Sequence, residues 1–245
     1  QEKARETNVF IADWVDIDDN EYVNENNLKK HISFLASDEL KGRLTGSEGE
    51  KKAGEYLAKE FKNLGLKPYD GKNFQQSFEY KIRLNPHDTI SEGTVNKGTN
   101  IIGYLDNGAS KTIVIGAHYD HLGLNEHNNS TKANSAGEIH NGADDNASGV
   151  ALMIGLLNRY DEWSLKRYNY IFVAYSAHEI GLFGSRNFQN YISNKVSPLA
   201  LVINFDMVGR LDPREKILAI YGYNSIAKVS SFFTPKMENM NIQTD

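Results

Sequence analysis

Four short segments of this chain place metal-ligating residue types at the ends of apolar runs. TIVIGA leads into His118, YIFVAYSA into His178-Glu179, and ALVINF into Asp206. Between the first two lies NGADDNASGV, with Asp144 and Asp145 at the mouth of an apolar stretch. Carboxylates and imidazoles are costly at the end of a buried strand unless something compensates them. In an open α/β sheet that same end is where ligands and catalytic groups gather. One shared cation accounts for all four segments, and metal-dependent hydrolysis is the chemistry it suggests. The sequence has no cysteine, so such a site must be built from His, Asp and Glu. That donor set suits zinc or a harder divalent ion.

Singly, each residue has a plainer reading. An isolated histidine such as His118 is more often a surface or hydrogen-bonded structural residue. Asp145 suits the N-cap of a helix starting near Ala147. Asp206 suits a turn before Gly209, and Glu179 a solvated turn before Gly181. The metal reading draws its weight from all four falling on one presumed sheet edge.

The elements that would position these groups are legible. Leu28, Ile32 and Leu35 predict a helix over 27–37. Ser47 and Glu50 form a capping box for a helix over 47–64 with Ala53, Leu57, Phe61 and Leu64 on its apolar face, stopped by Gly65 and Pro68. Phe78, Tyr80, Ile82 and Leu84 alternate as in a half-buried strand, and NIIGYL (100–105) and TIVIGA (112–117), separated by DNGASK, read as a hairpin. The segment 121–141 is too long for a plain connector. Beyond it a helix is expected at 147–160, a strand at 169–176, a helix at 182–192, strands at 199–205 and 216–221, and a helix at 224–233. Alternation of this kind implies an α/β fold, helices flanking a mixed, mostly parallel sheet through parallel crossovers. The expected organisation is an N-terminal extension over 1–25 and one domain over 26–245.

Composition narrows the function. The 245 residues are 40% apolar and 24% charged, a globular mixture. A net charge of −5 argues against nucleic acid as a partner. No apolar run approaches the ~20 residues needed to span a bilayer. The chain starts at Gln1 without a visible signal peptide, which a cleaved secretory leader would explain as well as a trimmed terminus; export to the periplasm or outside the cell is the expectation. Asp16, Asp18 and Asn20 imitate the start of a calcium loop, but Glu21 and Asn27 stand where its glycine and bidentate glutamate belong, so a solvated segment is expected there.

At the four segments the sequence resembles the zinc aminopeptidases of the bacterial leucyl-aminopeptidase type, family twenty-eight of the metallopeptidases. GAHYDHLG, NGADDNASGV, YSAHEIGLFGS and NFDMVGR are similar to that family's metal-site segments in the same order, and GRLTGSEGEKKAGEYLAKEFKNLGLKP to its N-terminal helix segment. The resemblance implies a three-layer αβα zinc-exopeptidase fold, peptide substrates and two zinc ions. It implies His118, Asp145 and Asp206 at one ion, Asp145 and Glu179 at the other, and Asp120 as the carboxylate orienting His118. Asp144 is expected to support rather than ligate.

Two departures accompany it. His178 stands where the family pattern has its general-base glutamate, so it is the expected base, a ligand, or the mark of an impaired peptide-binding homologue. The pattern also takes a late histidine for the second ion, and none of the seven histidines here follows Asp206. The expectation is therefore a domain lacking its C-terminal strands, with a second site weak or empty unless His127 or His140 swings in. A glutaminyl-cyclase-like acyltransferase on the same fold is the remaining alternative. A serine hydrolase is disfavoured for want of a G-x-S-x-G elbow.

Overall fold

A computed structural model describes residues 24–82, 93–157, 166–193, 196, 198–221 and 241–244. Helix α1 (Glu25–Leu35) opens on Asn24, whose side chain accepts from Asn27 N. A 3₁₀ segment (Asp38–Arg43) leads to α2 (Glu48–Asn63), capped by Ser47 through Glu50 N. Strands β1 (Lys67–Pro68), β2 (Gln75–Ile82), β3 (Thr94–Leu105) and β4 (Thr112–His118) follow. An irregular turn (Ala143–Ser148) enters α3 (Gly149–Leu157), and β5 (Asn169–Tyr175), α4 (Phe183–Ile192) and β6 (Leu199–Asn204) complete the main unit. Strands β7 (Ile217–Ile220) and β8 (Asn241–Thr244) form a separate parallel pair. The calcium-like segment, most of the expected extension and the helix expected at 224–233 lie outside the described residues.

The main sheet is mixed, in the order β1-β3-β5-β4-β6 with β2 also on β3. Its β5-β4-β6 part is parallel, and the β1, β2 and β5 pairings with β3 are antiparallel. Alternate residues of these strands face opposite ways, as strand geometry requires. Ile101, Ile115, Phe172 and Ala174 pack with α1, α2 and α3 on one side. Ile102, Val114, Ile171 and Val173 pack with Phe188 and Ile192 of α4 on the other. The result is the three-layer α/β arrangement expected from the sequence.

The expected hairpin of 100–105 with 112–117 does not form. Strand β5 lies between β3 and β4, pairing with both. Every residue of β5 is buried, which demands a neighbour on each edge and cover on each face. Asn169 fixes the crossing: its side chain accepts from Asn107 N (2.9 Å) and Ala109 N (3.1 Å) and donates to Ala109 O (2.8 Å). A turn-like spacer between two apolar runs cannot reveal a third strand inserted from later in the chain.

Candidate metal centre

The parallel register sets the site. His118 is opposite Tyr175 across β4–β5, and Gly116 is opposite Asn204 across β4–β6. The pairing continues one step past each strand, with Tyr119 N bonded to Tyr175 O (2.9 Å) and Phe205 N to Gly116 O (2.9 Å). His118, the His178-Glu179 turn and Asp206 therefore leave the sheet side by side. Two overlapping groups result, His118–His178–Asp206 and His118–Asp145–Glu179, each with ligand atoms within 4.8 Å of one another.

His118 is buried. Its Nδ1 lies 3.1 Å from Asp120 O, a carbonyl that can only accept, so Nδ1 carries the proton. Nε2 then faces Asp145 Oδ1 at 3.2 Å and Asp206 Oδ1 at 3.5 Å. The His178 ring stacks on His118 with centroids 3.9 Å apart and planes 6° apart. Its Nε2 is 3.6 Å from Asp206 Oδ2. Glu179 Oε1 meets His121 Nδ1 at 2.7 Å, and that nitrogen is 4.0 Å from Asp145 Oδ2. The two oxygens of Asp145 thus face opposite parts of the cleft.

Asp120 supports the centre in two ways. Its carbonyl orients His118, while its carboxylate is farther off, 3.8 Å from Nδ1. That fully buried carboxylate instead accepts from His178 N (3.0 Å), Glu179 N (3.3 Å) and Thr45 Oγ1 (3.1 Å). It fixes the turn that presents both side chains, a role that residue spacing alone does not disclose.

Neither Asp144 nor Asp145 caps α3. Asn146 does: its Oδ1 accepts from Gly149 N (3.1 Å) and Met207 N (3.1 Å). Its Nδ2 donates to Phe205 O (2.9 Å) and His118 O (3.3 Å). One buried amide thereby ties together the ends of β4, β6 and the helix mouth, leaving Asp145 free to face the cleft. Asp144 Oδ1 accepts from Gly209 N (2.8 Å), closing the turn after Asp206.

Arg43 is a second residue that sequence reasoning missed. It is almost wholly buried and donates to the carbonyls of Tyr119 (2.8 Å), Asn141 (2.7 Å), Gly142 (3.0 Å) and Leu35. Burial lowers its pKa to about 10, against the pull of Asp120, Asp145 and Glu179. It is a fixed cation beneath the carboxylates as well as a clamp on the backbone before Asp145. Gly142, at φ +59, is needed there, because a Cβ would sit 2.7 Å from the guanidinium and 2.6 Å from the His121 ring. An arginine in a Gly-Arg-Leu turn and an asparagine beside the candidate ligand Asp145 were the available signals, and both residue types are too common in loops to single out.

The charges are tightly coupled. Burial opposes the charged form of His118, yet Asp120, Asp145 and Asp206 outweigh it and hold the imidazole well above its usual pKa. Asp145 and Asp120 are likewise disfavoured by burial, but the His118 cation overcomes this and both stay below the ordinary carboxylate range. Burial, then the neighbouring His118 cation, pushes His178 down. Carboxylates converging on one imidazole nitrogen require a cation, which a proton or a metal ion can supply.

The sequence model of peptidase family M28 matches residues 100–243. The chain belongs to this family. A curated relative, the alkaline phosphatase isozyme conversion protein of Escherichia coli, is 29% identical over 183 residues, or 74% of this chain and 50% of the relative. The chain thus spans about half the length of that M28 relative. Among solved structures, a Zn-dependent exopeptidase from Parabacteroides distasonis is similar at TM-score 0.66 and 18% identity, over 91% of this chain and 77% of that one. A leucine aminopeptidase precursor from Bacteroides thetaiotaomicron is similar at TM-score 0.61 and 18% identity, over 84% and 68% of the two chains. A glutaminyl cyclase from the same organism is similar at TM-score 0.61 and 18% identity, over 84% and 68%. At these identities the likeness is one of fold.

The donors fit the metal such a fold implies. Ligands ~2.0–2.2 Å from a tetrahedral zinc stand roughly 3.3 Å apart. The 3.2 and 3.5 Å separations around His118 Nε2 bracket that value without rearrangement. His127 and His140 belong to neither ligand group.

Proposed function

We propose that this chain is the catalytic region of a zinc-dependent aminopeptidase, releasing N-terminal residues from peptides with a pair of zinc ions. The observation that carries the reading is the division of Asp145, one oxygen toward His118 and the other toward the Glu179 side. A carboxylate so placed can serve two ions at once. His118, Asp145 and Asp206 would hold one, and Asp145 with Glu179 the other. Bound zinc supplies a Lewis acid that acidifies water and polarises a carbonyl.

The remaining work falls to the chain itself. Asp120 O holds the His118 tautomer whose Nε2 is open to the cleft. The Asp120 carboxylate holds the backbone of His178 and Glu179 in place. His178 stands where the family pattern has its base, with Nε2 3.6 Å from Asp206 Oδ2, and on this reading it would take the proton from water. Asn146 and Arg43 keep the three contributing segments in register.

The test is hydrolysis of a panel of aminoacyl anilides by zinc-loaded protein across pH 5–9. Cleavage is expected, lowered on the order of 10²–10⁴-fold in His178→Gln, the usual worth of a positioned base. A zinc-loaded protein that cleaves none of the panel sinks the peptidase reading. Release of ammonia from peptides with N-terminal glutamine would point instead to cyclase chemistry.

A further inference from the structure

We infer that Asn100 is a positioning residue of the metal centre, joining the two ends of the segment that presents His178 and Glu179; its kinetic consequence rests on the peptidase reading above. Asn100 is wholly buried on β3, where the backbone ladder to β5 ends at the pair Ile101–Ala174. Beyond that pair its side chain takes over. Oδ1 accepts from Ser176 N at 3.0 Å, and Nδ2 donates to Gly184 O at 2.9 Å. A backbone N–H can only donate and a carbonyl only accept, so these two partners fix which way the amide points. The second hydrogen of Nδ2 goes to Gln76 Oε1 at 2.7 Å, which leaves no donor of the amide unpaired.

The segment from Ser176 to Gly184 needs such a tie. Ala177 (φ +55) and Leu182 (φ +60) are left-handed without being glycine. Residues so placed persist only where their surroundings over-determine them. Gly181 N and Leu182 N both reach His178 O, and Phe183 N reaches Ala177 O, each at 3.0 Å. Those bonds shape the turn without attaching it to the sheet. Attachment falls to buried side chains: Asp120 holds His178 N and Glu179 N, Glu50 accepts from Ser176 Oγ, and Asn100 holds both ends at once. The ends are in contact, since a Cβ on Gly184 would lie 2.1 Å from Ser176 O and 2.5 Å from Asn100 Oδ1. Asn146 ties the segments of Asp145 and Asp206 in the same manner. Each half of the cleft is thus closed by one buried amide.

The experiment compares Asn100→Ala with Asn169→Ala in the whole, zinc-loaded protein. Asn169 is also a buried, hydrogen-bonded amide, at the opposite end of β5 and far from the ligand turn. Both variants should lower the urea midpoint. Asn100→Ala alone should lower kcat for aminoacyl anilides ~10²-fold, the cost of a small misplacement of reacting groups, with KM little changed. Amide hydrogen exchange across 176–184 should quicken in Asn100→Ala and not in Asn169→Ala. A kcat loss no greater than that of Asn169→Ala, or unchanged exchange across the segment, would overturn the inference and leave Asn100 an ordinary buried amide. Should Asn100→Ala fail to fold, Gln76→Ala, which removes only the third partner of the amide, takes its place: a several-fold fall in kcat at an unaltered urea midpoint is expected, and an unaltered kcat overturns the assignment. The outcome is separable from the peptidase reading. If wild type cleaves no anilide, that reading falls and the visible spectrum of the cobalt-substituted protein decides. A spectrum altered in Asn100→Ala but not in Asn169→Ala upholds the positioning role; identical spectra, or a wild type that takes up no cobalt, reject it.

Discussion

The two sides of Asp145 are built differently. On one side, His118 and Asp206 leave adjacent parallel strands, and their nitrogen and oxygen already stand near zinc-ligand separation at 3.5 Å. On the other, Glu179 and His121 come from a turn and a long loop, and their atoms form a direct 2.7 Å hydrogen bond. Backbone ladders fix the first pair, whereas the second depends on Asp120, Arg43 and Gly142 to hold irregular backbone in place. A strand end gives an arrangement ready for an ion; a loop gives one that must adjust to it. If the cleft takes two ions, a zinc titration should show the tighter one on the strand-end side.

The most drastic way to break that contrast is to remove what both sides share. Asp145→Ala should abolish both ion sites in calorimetry, a larger loss than the ~10–100-fold typical of supporting partners. Retention of one tight site would show that the halves are independent. Arg43→Met should strike the loop side through stability. Several buried carbonyls would lose their donor, each costing ~1–3 kcal/mol, and urea unfolding should show a loss of a few kcal/mol. An unchanged midpoint would deny the clamp its role.

Asp120→Asn sharpens the comparison, because this residue reaches both sides. It keeps the carbonyl that orients His118 but weakens the hold of the carboxylate on the His178-Glu179 turn. Zinc affinity should fall ~10–100-fold on the Glu179 side and less on the other. Equal losses would mean that the carboxylate acts chiefly through His118.

The smallest effect on the centre is expected from Glu50, which lies behind it. Burial, with the nearby Asp120 charge, raises its pKa from 4.5 to about 8, against its bonds to Ser176 Oγ (2.5 Å) and Gly46 N (2.6 Å). Between those values the unfolded chain gives up a proton that the folded one keeps. This group's contribution to stability is therefore full at low pH and declines as pH rises from 4.5 to about 8. Glu50→Gln should flatten that part of the stability–pH curve while leaving zinc affinity nearly unchanged. A slope that persists in the variant would show that another group produces it.

How much of this was legible in advance varies with the range of the interaction. Helix α2 announced itself through Ser47 and an apolar stripe, since capping and periodicity are local. Its capping box was only half formed: Ser47 accepts from Glu50 N, but the Glu50 side chain turns to Gly46 N and Ser176. The candidate ligands were visible because polar groups that end apolar runs stand out against their surroundings. The hairpin failed because nothing near 100–117 records the arrival of β5. Asn146 took the cap that might have gone to Asp145, and in local sequence the two are nearly interchangeable.

The sequence by itself determined the donor types, the absence of thiolates, the strand ends that carry most of them, and the resemblance to one metallopeptidase family. The tertiary structure decided that β5 separates β3 from β4, that Asp145 faces two ways, that Asp120 works mainly on a backbone turn, and that Arg43 and His121 lie beside the candidate ligands. The division has a physical reason. Chemical type and short-range periodicity are written in neighbouring residues, whereas a cluster of charges is set by register between strands and by buried groups far apart in the chain.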